Sequence, residues 1–194
     1  MNLKHVILML SILIFSNNVF SQSTTKNPKV DFDSFLELAK KVQVYRKSHL
    51  LNLEDFKKYS NEKGSVILDT RSKELFDQKH IKGAIHLNFS DFTQTNLYKL
   101  IPDNKTRILI YCNNNFENDE VNFATKSYVP PRSTAQKKPI TLALNIPTFI
   151  NLIGYGFENV YELNDLINVN SNKIEFEGTE VFNLNPRIEN QLQK

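Results

Sequence analysis

The chain has 194 residues, a formal charge of +3, fourteen Phe, seven Tyr, no Trp and one Cys. That length suits a single domain with a sizeable core once an export signal is removed. The basic residues are scattered along the chain rather than clustered on one element, which argues against a nucleic-acid-binding protein, and a lone cysteine excludes an internal disulfide.

Residues 1–21 read as a secretory signal peptide. Lys4 and His5 supply a positive start, Val6 to Phe15 an apolar stretch, Asn17 and Asn18 a polar segment, and Val19-Phe20-Ser21 a cleavage site. The apolar stretch is shorter than the roughly 20 residues of a bilayer span. Cleavage after Ser21 leaves Gln22 first, lowers the formal charge to +2 and leaves no stable membrane anchor. No Cys stands near the junction, so lipoprotein processing is excluded. The protein is therefore expected to be exported, periplasmic or secreted. Residues 22–30 form a polar lead-in, and 31–194 form one domain.

Phe32 to Tyr45 has a helical period, with Asp33 as cap and Phe35, Leu36, Leu38, Ala39, Val42 and Tyr45 on one arc. Leu51 to Tyr59 is a second helix, capped by Asn52, with Leu53 and Phe56 inward. Val66 to Leu68 is a buried strand that delivers Asp69 at its C-terminal edge. Ser72 to Lys79 makes one or two helical turns capped by Ser72, and Ala84 to Leu87 is another strand. Strand, helical turn, strand begins a parallel α/β sheet. Ser90 to Leu100 is helical, with Ser90 as cap and Phe92, Leu97 and Leu100 inward. Arg107 to Tyr111 is a continuous apolar run and hence a central strand, ending at Cys112.

Asn113 to Pro139 has no hydrophobic period and contains Pro130-Pro131. A structureless stretch of that length is functional or disordered. Ile146 to Ile153 is helical with Asn145 as N-cap, Gly154 and Gly156 stop it, and Phe157 to Leu163 holds the last core strand. Lys173 to Leu184 alternates as a β-hairpin around Gly178.

Asp69-Thr70-Arg71, followed by His80-Ile81-Lys82-Gly83-Ala84, resembles the rhodanese (sulfurtransferase) family. So do Leu152-x-x-x-Gly156-Phe157 and Val160-Tyr161-x-Leu163. The resemblance covers residues 52–163. It implies a rhodanese-like α/β fold: a central parallel sheet with helices on both faces, here with an added N-terminal helix and C-terminal hairpin. It also implies that Cys112 is the catalytic nucleophile. As a thiolate favoured by the next helix N-terminus, it would accept a sulfur atom as a persulfide and pass it on. Asp69, Arg71, His80 and Gly83 match the family's framework.

The chain departs from the family in three places. Lys79 replaces a Gly, and Asn164-Asp165 replace a Gly-Gly. The loop Cys-x-x-Gly-x-Arg-Ser becomes Cys112-Asn113-Asn114-Asn115-Phe116, with Leu144 and Asn145 where Arg and Ser would stand, so residues 113–139 form an insertion.

Two readings lead, and phosphatase-like or redox use of Cys112 takes the remainder. In one, Cys112 transfers sulfur between a small donor and a thiol acceptor, and Asn113, Asn114, Asn115, Arg132 and Asn145 hold the anion, with Lys126, Lys137 and Lys138 as further cations. In the other, the domain is a non-catalytic module that recognises a protein partner through residues 113–139. The lack of a nearby Arg argues against phosphate monoesters. No cofactor or metal is expected. His49 and His86 lack ligand-spaced partners, and Glu117, Asp119 and Glu120 read as a solvated acidic patch.

Overall fold

The computed structural model describes residues 29–128 and 140–182. The signal peptide, the lead-in before Lys29, Pro130-Pro131, Arg132, Lys137, Lys138 and the last two residues of the expected hairpin lie outside them. The chain divides into Met1–Phe32 and Asp33–Lys194, and the fold described is that of the second unit. None of its described helices is long and apolar enough to cross a membrane.

Five parallel strands make the sheet: β1 (Leu50–Leu51), β2 (Val66–Asp69), β4 (Ile85–His86), β5 (Ile108–Ile110) and β9 (Val160–Leu163), in the order β1-β9-β5-β2-β4. The apolar run at 108–110 takes the middle place because both its faces are covered; none of its residues is more than 1% exposed. Alternation along the strands divides the core in two. Leu68, Ile108, Ile110 and Val160 meet Val42 of α1 (Phe32–Arg46), Leu97 of α4 (Gln94–Leu100) and Phe149 and Leu152 of α5 (Asn145–Gly154). On the other face Ile67, Leu109, Tyr111 and Leu163 meet Phe56 of α2 (Leu53–Ser60), Phe76 of α3 (Lys73–Gln78), Phe116 and Phe123. The expected architecture, a central parallel sheet flanked by helices, is therefore present.

Local chemistry sets the helix starts. The side-chain oxygen of Asn52 accepts the Asp55 N–H at 2.8 Å, and Ser72 caps α3 through the Leu75 N–H. Three expectations at helix starts fail. Asp33 lies within the first turn of α1 (Phe32–Arg46) rather than capping it. Ser90 lies in a 3₁₀ turn (Phe89–Asp91), and Thr93 caps α4 instead by accepting the Asn96 N–H at 3.1 Å. This shift leaves Leu100 exposed, and Ile101 takes the core position. Likewise Asn145 is the first residue of α5 rather than its cap; Leu144 precedes it and offers no capping side chain.

On α1, Phe35 and Leu36 are 45% and 41% exposed. Leu38 of this helix packs against α5 at Gly154.

The C-terminal hairpin is also corrected. β11 (Phe176–Glu177) pairs antiparallel with β3 (His80–Ile81), not with a returning strand. Gly178 adopts φ +132°, and the chain continues into a helical turn, α6 (Thr179–Phe182). A strand that finds its partner in β3 makes no hairpin of its own.

Candidate functional site

The C-terminal ends of β2, β5 and β9 form one edge of the sheet, where parallel α/β folds gather reactive groups. At the end of β2, Asp69 is fully buried and Arg71 is 3% exposed. The guanidinium forks onto Asp69, with Nε at 3.1 and 3.0 Å from the two carboxylate oxygens and Nη2 at 2.8 Å from Oδ2. Nη2 also donates to the Lys79 carbonyl at 2.5 Å, and Nη1 to the Asn122 carbonyl at 2.8 Å. Its Cζ lies 4.6 Å from the centroid of the Phe123 ring.

Burial opposes the Arg71 charge, but the Asp69 carboxylate more than offsets it and holds the pKa above the ordinary value. The Tyr111 hydroxyl donates to Asp69 and accepts the Ile81 N–H at 3.2 Å. Burial and the adjacent Asp69 raise the Tyr111 pKa well above its usual value. Arg71 thus has all its described partners inside the protein.

Cys112 follows β5 in extended conformation and is 3% exposed. The turn after it, a 3₁₀ segment over Asn113–Asn115, closes on itself. The Cys112 N–H donates to Asn115 Oδ1 at 2.8 Å, and the Asn115 N–H returns to the Cys112 carbonyl at 3.0 Å. The Phe116 N–H caps back onto Asn113. Asn115 Nδ2 donates to the carbonyls of Leu163 and Asp165 at 2.8 and 3.1 Å, which fastens the turn to the end of β9.

Asn114 faces the other way. Its oxygen accepts the Lys126 N–H at 2.7 Å, and its amide reaches Ser127 Oγ at 3.1 Å and Thr141 Oγ1 at 3.4 Å. Asn114 therefore holds together both strands of a small antiparallel ladder, β7 (Ser127–Tyr128) and β8 (Ile140–Thr141).

The described part of the 113–139 insertion is packed, contrary to the expectation of a structureless loop. β6 (Phe116–Glu117) pairs with β10 (Ile167–Asn168). Phe116 and Phe123 are at most 1% exposed, and Phe176 meets Phe116 edge-on and Phe123 at a tilt. Asp119, expected to be a solvated acid, is drawn in by Lys79 Nζ at 2.8 Å and by Asn122. These donors outweigh the opposing effect of burial and hold its carboxyl below the ordinary range.

The start of α5 lies over the same edge. Thr148 Oγ1 meets Thr70 Oγ1 at 3.1 Å, and Asn145 Nδ2 donates to Glu162 of β9. Glu162 is 2% exposed and takes both Nε and Nη2 of Arg46, each at 2.5 Å. The carboxamide oxygens of Asn113, Asn122 and Asn145 are buried without a hydrogen-bond partner among the described residues.

The structure thus brings Cys112, Asn113, Asn114, Asn115 and Asn145 to one edge, with Asp69 and Arg71 beside them. Gly83 (φ +81°) and His80 lie away from that edge, on the β11 side. His80 stacks on Phe76 and reaches Glu177 at 3.1 Å, and the Gly83 N–H reaches the same carboxylate at 2.9 Å. Sequence reading missed Tyr111, Asn122, Phe123, Arg46 and Glu162. An acid within the apolar run VYEL was the one available signal for Glu162; Arg46 lies 116 residues from it.

A model of the rhodanese-like domain matches residues 52–165. Among solved structures, the chain is similar to the Alr3790 protein from Anabaena sp., at 19% identity and TM-score 0.41, covering 74% of this chain and 94% of that one. It is also similar to the BH2092 protein from Bacillus halodurans, at 18% identity and TM-score 0.46, covering 75% and 88%. A rhodanese with anions from E. coli is similar at 14% identity and TM-score 0.36, covering 59% and 99%. No curated protein matches.

Proposed function

The chain belongs to the rhodanese-like domain family, and from that premise we propose that it is an exported binding module in which Cys112 is a structural thiol. The observation that carries this reading is the turn after Cys112. It is closed by Asn115, and its cysteine is 3% exposed. A nucleophile that takes sulfur from an anionic donor in solution needs access to it and a free cation beside the sulfur. Each of the three described arginines is engaged by a carboxylate instead: Arg46 by Glu162, Arg71 by Asp69 and Arg107 by Glu62. Recognition runs through the insertion after Cys112. Its described flanks expose Val121 and Leu142, and Asn114 fixes its base. Export rests on the charge and hydropathy pattern of residues 1–21.

The place of Cys112 at the end of the middle strand favours a second reading, a persulfide carrier, and one measurement separates the two. The protein is purified from its host, and its intact mass is recorded before and after thiosulfate, beside Cys112→Ser. The expected result is a chain beginning at Gln22 that gains no sulfur although its thiol is reduced. A sulfur adduct that cyanide removes, absent from Cys112→Ser, would establish the persulfide reading. A mass that includes residues 1–21 would sink export by cleavage.

A further inference from the structure

Glu162 is an acid in a strand otherwise made of Val160, Tyr161 and Leu163, and it is almost fully buried. A carboxylate in that position must be paired and hydrogen-bonded. Its partners come from two helices. Arg46 in the last turn of α1 donates through two nitrogens, and Asn145 opening α5 donates through its amide. α5 has ten residues and a start without a capping side chain. Its N-terminal end therefore carries the partial positive charge of uncapped N–H groups. A guanidinium fork beside a helix start is the setting in which proteins bind oxyanions. Here the protein's own carboxylate occupies it. Glu162 pairs in register with Ile110, the last residue of β5, and Cys112 follows two residues on.

We infer that Glu162 is an internal anion that sets the specificity of the Cys112 edge: by occupying Arg46 at the start of α5 it keeps small oxyanions such as sulfate and thiosulfate out. The inference deepens the binding-module reading and rests on it. Neutralising Glu162 converts the edge into an oxyanion site, because Arg46 then lacks its carboxylate.

The test compares wild type, Glu162→Gln and the double variant Arg46→Met with Glu162→Gln. Thermal midpoints are read in sodium sulfate and in sodium chloride of equal ionic strength. The expected result is no sulfate-specific shift in wild type, a rise of roughly 3–6 °C in Glu162→Gln, and its loss in the double variant. A wild type that shifts as much as Glu162→Gln, a Glu162→Gln that does not respond, or a shift that survives in the double variant each overturns the inference. If Glu162→Gln does not fold in chloride, its refolding yield in sulfate is read instead, and equal yields in the two salts overturn it. Sulfur uptake by wild-type Cys112 would remove the binding-module reading without any of these shifts, so the two failures are distinguishable.

Discussion

Tyr111 stands where the two sides of the Asp69–Arg71 pair meet. Its hydroxyl donates to Asp69 and accepts from Ile81, so Tyr111→Phe leaves a buried carboxylate short of one donor and a buried N–H without an acceptor. The expected cost is about 1–3 kcal/mol, read as a lower urea midpoint with unchanged slope. The phenol also sets an alkaline limit. Its folded pKa is raised, so the stability it confers is fully present below the ordinary tyrosine value near 10 and is lost as pH rises above it. In a titration followed by phenolate absorbance, Tyr111 should ionise only together with unfolding. Ionisation in the still-folded protein would contradict the geometry.

The segment that replaces the expected hairpin is held by its turn. Gly178 adopts φ +132°, and a Cβ built there would run into the carbonyl of Gln78 at the end of α3. Gly178→Ala should therefore displace β11 from β3 while the five-stranded sheet stays intact. Hydrogen exchange is the direct check: protection of the Lys82 amide, which donates to the Glu175 carbonyl, should fall, and protection in β5 should not. Equal loss in both would mean that β11 and the sheet open as one unit.

Across the whole molecule, the insertion is tied to the body by Lys79–Asp119 and by Arg71 reaching the Asn122 carbonyl. Asp119 has a folded pKa below its ordinary value. The stability it contributes is thus present above the unfolded carboxylate value near 4 and is lost as pH falls through the lower folded value. Asp119→Asn should lower stability at neutral pH and flatten the acid limb of the stability curve below about pH 4. Parallel wild-type and variant curves across that range would show that the tie does not titrate as described.

The local sequence determined α1 to α5 and four of the five strands of the parallel sheet. An apolar run of about five residues is too short for a buried helix, so Arg107–Tyr111 was legible as the middle of a parallel sheet. Asn52 and Ser72 were legible as caps because each accepts an N–H three residues on, whereas at Ser90 and Asn145 the helix begins elsewhere. The spacing from Asp69 to Ala84 pointed to the family by resemblance. Tertiary structure decided what depends on partners far away in the chain. Arg46 meets Glu162 across 116 residues, Lys79 meets Asp119 across 40, and the strand at Phe176 pairs with β3 rather than folding back. Such partners leave no period or spacing in the sequence. A buried charge is tolerated only where the fold supplies its counter-charge. For that reason the packed insertion and the carboxylate beside the Cys112 edge became readable only once the chain was folded.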